Sequence, residues 1–153
     1  MTLAPLDRAA IEDLLVRYAF AIDLREWAEL REVFTDDAAI VYSGGAQQHT
    51  GIDAIVSFFR RTAGRVAATQ HLLHPSRIRA TGPETAEGLT HVTAHHVRHG
   101  SPRPAPASAT FTVTGTYADR YTKTAAGWRI SRRRLDLVTS VGDPSMLGPT
   151  KGS

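Results

Sequence analysis

The chain is 153 residues long, 42% hydrophobic and 22% charged, which is the size and make-up of one globular domain over residues 1–153. It contains no cysteine, which excludes disulfides, thiolate metal sites and a cysteine nucleophile. The formal net charge of +3 is unevenly placed, since residues 1–40 hold 4 basic and 9 acidic side chains and residues 41–153 hold 14 and 6. The densest basic run, Arg132-Arg133-Arg134, lies in an alternating stretch that sends its side chains to both faces, which argues against a nucleic-acid-binding stripe. No apolar run approaches the roughly 20 residues that a bilayer-spanning helix needs, and Met1–Pro5 leads straight into a charged amphipathic segment. The expectation is a cytoplasmic protein with neither nucleic acid nor membrane as partner.

Residues 7–23 read as a helix, with Asp7 as N-cap and Ile11, Leu14, Leu15, Tyr18, Ala19 and Ile22 recurring at helical spacing. A second short helix carries Trp27, Leu30, Val33 and Phe34 on one side and ends at Asp36-Asp37. Ala39–Ser43 reads as a strand closed by Gly44-Gly45. Thr50 or Asp53 caps a third helix, whose apolar stripe is Ile52, Ile55, Val56 and Phe59. After Gly64 the period changes from 3.6 to 2, giving strands in Thr69–Ala80, Thr85–Arg98, Ser108–Thr124 and Trp128–Ser140. Helices first and a long antiparallel sheet second define an α+β fold. The expected architecture is a cone, with the helices packed into a strongly curved sheet that leaves a pocket open at one end. Residues 139–153 form a tail that either covers this pocket or is disordered.

The seven histidines do not have metal-ligand spacing. His91 and His95 lie four apart on a strand, about 13 Å from one another, and His71 and His74 fall on opposite faces. There is no phosphate loop, nucleophile elbow or dinucleotide fingerprint, so no metal and no cofactor are expected. Acid–base chemistry remains. Asp23 ends the first helix at the edge of its apolar arc, and His71 opens a strand with apolar neighbours. His96 shares a strand face with Val92 and Ala94.

Three N-terminal segments, Ile11-Glu-Asp-Leu-Leu-Val-Arg-Tyr-Ala-Phe-Ala-Ile-Asp23, Leu30-Arg-Glu-Val-Phe-Thr-Asp-Asp37 and Gly51-Ile-Asp-Ala-Ile55, together resemble the SnoaL-like branch of the nuclear transport factor 2-like superfamily. Thr69-Gln-His71, Tyr117-Ala-Asp-Arg-Tyr121 and Gly127-Trp-Arg-Ile-Ser-Arg-Arg133 extend the resemblance to residues 6–138. The site pattern is most similar to that of scytalone dehydratase, in which an Asp ending the first helix is hydrogen-bonded to a His in a Thr-Gln-His strand. The resemblance implies Asp23 and His71 as a catalytic pair, His96 as a second catalytic histidine and Tyr42 as a catalytic phenol. It departs at Ile22, where the family has a tyrosine, and at Tyr117, where it has a side-chain amide.

A carboxylate that accepts from one imidazole nitrogen leaves the other nitrogen as a base. His96 would protonate a leaving oxygen, and Tyr42 and Tyr117 would donate to a developing enolate. Phe20, Val56, Phe59, Leu73 and Phe111 would form the apolar lining for a cyclic, hydrophobic small molecule. The resulting expectation is a dehydratase, isomerase or cyclase acting on a polyketide-like metabolite. It would assemble as a homo-oligomer, dimer or trimer, through the outer sheet face. The alternative is a non-catalytic ligand-binding or subunit-type protein of the same fold.

Overall fold

The computed structural model describes residues 2–148. Helix α1 spans Pro5–Asp23 and the short α2 spans Leu30–Val33 after a 3-10 turn at Trp27–Glu29. Strands β1 (Phe34–Tyr42) and β2 (Gln47–Thr50) precede α3 (Ile52–Ala63), and β3 (Ala68–Leu73), β4 (Arg77–Gly82), β5 (Thr85–Val97), β6 (Thr110–Thr124) and β7 (Gly127–Gly142) follow. The strands form one seven-stranded sheet in the order β2-β1-β7-β6-β5-β3, with β4 also paired to β5. The sheet is not closed, and the helices pack against it to give the expected α+β cone.

The sheet is mixed rather than antiparallel throughout, because β1 runs parallel to β7. These two strands are nearly a hundred residues apart in sequence, so no tight turn forces them antiparallel. β1 also begins at Phe34, and Asp36-Asp37 are exposed strand residues, not a helix end. The expected single strand over 69–80 is split at His74-Pro75-Ser76, where proline has no N–H for the ladder. Both halves still pair antiparallel with β5.

Helix α1 starts two residues before Asp7, with Pro5 in its first turn. Asp7 instead accepts hydrogen bonds from Lys123 Nζ at 2.7 Å and Trp128 Nε1 at 2.8 Å, tying the helix to the β6–β7 hairpin. The helix ends where Arg25 takes the left-handed conformation, at φ 63°. Between β6 and β7 the register shifts at Thr114/Gly115 and again at Arg120/Tyr121. A Cβ at Gly115 would lie 2.6 Å from the Asp136 carbonyl oxygen, so only glycine admits this close approach in the bent sheet. The main core is the α1 stripe of Ile11, Leu14, Tyr18 and Ile22 packed with Phe34, Ile40, Ile55, Tyr121 and Ile130. A second, smaller cluster joins Val66, Phe111 and Met146 near the end of the described chain.

Candidate active site

The end of α1 and the start of β3 bring Asp23 to His71. Asp23 Oδ1 lies 2.7 Å from His71 Nδ1, and Oδ2 accepts the His71 backbone N–H at 2.8 Å. Thr69 Oγ1 donates to Oδ1 at 2.9 Å and itself accepts from Arg25 Nη1 at 3.1 Å. Burial alone would push the Asp23 carboxyl up, but the hydrogen bonds and charge of His71 outweigh it and hold the carboxyl below its ordinary range. With a carboxylate facing Nδ1, that nitrogen carries the proton. Nε2 is left with a free lone pair on a ring that lines the cavity.

His96 stands on β5, with its ring centre 6.4 Å from that of His71. Its Nδ1–H donates to the Phe111 carbonyl at 2.9 Å, so Nε2 is again the lone-pair nitrogen. Burial drives the His96 pKa down to about 4, only partly offset by that hydrogen bond. Near neutral pH it is therefore an uncharged acceptor. The proton-donor role expected for it does not fit this state, because the imidazole has no spare proton to give a leaving oxygen.

Three phenols meet beside the pair. The Tyr18 hydroxyl lies 3.3 Å from that of Tyr42 and 3.2 Å from that of Tyr117, and the Tyr18 ring packs edge-on to His71. Burial raises Tyr42 and Tyr117 well above the usual phenol range, which keeps both protonated as donors. Under the rings lies Arg133, fully buried and paired with Asp119.

A cavity of about 650 Å³ joins these groups. Ile22, Phe58, Phe59, Val92, Phe111 and Leu135 supply apolar wall, and Ser140, Pro144, Leu147 and Gly148 supply part of the rim. Of the five expected lining residues, Phe59 and Phe111 take their places. Phe20 does not, being two residues from both Tyr18 and Ile22, on the opposite side of the helix and 58% exposed. Val56 is buried with Ile52 and Ile55 on the core side of α3, while Phe58, Phe59 and Thr62 turn to the cavity. Leu73 packs against the core beyond His71. The tail thus reaches the cavity as far as Gly148, and residues 149–153 lie outside the described chain. Among the described residues, no three His, Asp or Glu side chains are grouped to hold a metal ion.

Sequence reading missed Tyr18, Thr69 and Arg133 as parts of the site. Tyr18 reads as one more member of an apolar helix stripe, and Arg133 as one more member of a basic run. The available signal for Arg133 was its alternation with Arg132 and Arg134, which puts it on the inward face.

The sequence and the fold together define the class of protein. Residues 4–134 match the SnoaL-like domain family, and the chain belongs to it. It is 29% identical over 150 residues, 97% of this chain and 94% of the other, to the terrestric acid biosynthesis cluster protein E of Penicillium crustosum. Its structure is similar to that of a provisionally assigned scytalone dehydratase from Novosphingobium aromaticivorans, with a TM-score of 0.76, 24% identity, and 89% and 87% of the two chains covered. A nuclear transport factor 2-like superfamily protein from Salmonella enterica shares the fold at a TM-score of 0.73 and 18% identity, with 88% and 92% covered.

Proposed function

We propose that the protein is a cofactor-independent acid–base enzyme that removes a proton from carbon beside a carbonyl on a cyclic, polyketide-like metabolite. The observation that carries this reading is the 2.7 Å Asp23–His71 contact at the wall of a largely apolar cavity. His71 Nε2 takes the C–H proton, and the imidazolium that forms is paired with the Asp23 carboxylate. The carbonyl oxygen becomes an enolate oxygen and receives a hydrogen bond from the phenol cluster. In an elimination, the enolate re-forms its carbonyl as the C–O bond breaks, and the leaving hydroxyl takes the proton back from His71 and departs as water. In an isomerisation, the same proton is returned to a different carbon. His96 Nε2 accepts from a substrate hydroxyl and orients the ring. The relative encoded in a terrestric acid biosynthesis cluster supports secondary metabolism as the setting.

The test is a mass-spectrometric screen of enolisable cyclic ketones and aromatic polyketides for deuterium uptake from D2O and for loss of water. The wild type should exchange or dehydrate members of this class, and folded His71→Ala should be slower by about 10²–10⁴-fold. Full activity in folded His71→Ala overturns the reading. So does tight binding by the wild type without exchange, which favours a ligand-carrying role instead.

A further inference from the structure

Arg133 is unusual in its surroundings. Its side chain has no solvent exposure, and neither does that of its partner Asp119. Nε and Nη2 donate to the two carboxylate oxygens at 2.8 and 2.7 Å. The guanidinium carbon lies 3.9 Å from the ring centre of Tyr117 and 4.1 Å from that of Tyr18. Its remaining nitrogen, Nη1, is buried and has no hydrogen-bond partner among the described residues. Well-packed apolar side chains often replace buried ion pairs without loss of stability, so packing alone is a weak reason for a charge here.

The groups around the pair are also laid out in order across β6 and β7. Tyr117, Asp119 and Tyr121 alternate on one strand face, with Asp119 opposite Arg133 on β7. The Asp119 carboxylate accepts from the Tyr121 hydroxyl at 3.1 Å, on the side away from Tyr117. Arg133 acts to lower the pKa of Tyr42, Tyr117 and Tyr121 alike, against the larger effect of burial, and at Tyr121 the adjacent Asp119 opposes it. The positive end of the pair faces the phenol cluster. Within that cluster three hydroxyl protons serve two mutual contacts, both made by Tyr18, which leaves one O–H for a ligand.

We propose that Arg133 is a positioning residue that makes the Tyr18–Tyr42–Tyr117 cluster an oxyanion site, through a buried cation held close to the centres of two of its rings. Drawing electron density from the rings strengthens the hydroxyls as donors toward a full negative charge on oxygen. The ligand class is thereby narrowed to compounds that present an enolate or phenolate oxygen, such as hydroxylated aromatics and enolised diketones. The inference rests on the cavity being the reaction site, but its test needs no turnover.

The probe is 4-nitrophenol, whose ionised form is read by its absorbance as pH is varied. Bound to the wild type it should ionise at lower pH than when free. It should do so in His71→Ala as well, where the proposed catalytic base is gone. In Arg133→Met/Asp119→Leu, which removes both charges at similar volume, ionisation of the bound probe should weaken by about tenfold, one pH unit. Equal ionisation in the folded double variant overturns the proposal and assigns the pair a structural role. A measurement on the wild type alone covers a double variant that does not fold. The side-chain NMR signals of Arg133 should shift when 4-nitrophenolate binds and not when 4-nitroanisole binds, and identical responses overturn the proposal. Deuterium exchange without preference for the ionised probe sinks this inference and spares the acid–base reading. The ionised probe without exchange on any substrate does the reverse.

Discussion

Asp23 receives three hydrogen bonds from two residues of β3, so its carboxylate is held in position as well as in charge. An amide at this position could accept at one atom only, and its NH2 would face either the His71 backbone N–H or the Thr69 and His71 Nδ1 donors. Asp23→Asn is therefore expected to do more than remove charge, because it also unsettles the tautomer of His71. Turnover or exchange should fall by about 10²–10⁴-fold in protein that still folds by circular dichroism. Retention of more than a tenth of the wild-type rate would break the link between this pair and the chemistry. Thr69→Val separates position from charge. It removes one donor that lowers the carboxyl pKa, so the acid limb of the rate profile set by Asp23 should move to higher pH. An unmoved limb would mean that Thr69 takes no part.

At the scale of elements, the cavity depends on a segment that has little regular structure. Asp143 caps the 3-10 turn Pro144–Leu147 through the backbone N–H of Ser145 at 2.9 Å, and Met146 plugs into Val66 and Phe111. That small cluster is separate from the main core, so the turn can be displaced with the rest of the fold kept. Met146→Asp should lift it, weakening 4-nitrophenol binding by on the order of tenfold, roughly the burial energy of one apolar side chain. Undiminished affinity at a lowered melting temperature would show that the turn stabilises the fold without shaping the cavity. The long elements were legible because their patterns are long. The stripe from Ile11 to Ile22 spans more than three turns, and Phe111 to Tyr121 alternates over most of β6. Strand β2 was not legible, since Gln47–Thr50 is a short polar edge with no apolar face to mark it. At the site, Asp23 and His71 carried a motif and Arg133 an alternation, whereas the Tyr18 hub and the pairing of Arg133 with Asp119 depend on contacts between α1, β6 and β7 that no local pattern encodes.

For the molecule as a whole, these buried groups set a sign for the dependence of stability on pH. His96 has a folded pKa of about 4 against an ordinary 6.5, so the unfolded chain binds its proton more readily than the folded one. Its contribution is complete above pH 6.5 and is lost progressively as pH falls toward 4. The difference amounts to about 3 kcal/mol, a large share of the roughly 5–15 kcal/mol typical of a domain. His49 is shifted in the same direction by burial and then by Arg61. Asp23 is lowered below its ordinary 3.8, and the stability it adds is lost only as pH falls below that value. Loss of stability should therefore begin on the histidines, well above the carboxylate range. Urea unfolding at pH 7.5, 5.5 and 4.5 measures it, and His96→Gln should flatten the slope while keeping a donor to the Phe111 carbonyl. If stability is constant from pH 7.5 to 4.5, His96 takes up its proton as readily in the folded protein as in the unfolded chain, and the depression of its pKa by burial fails.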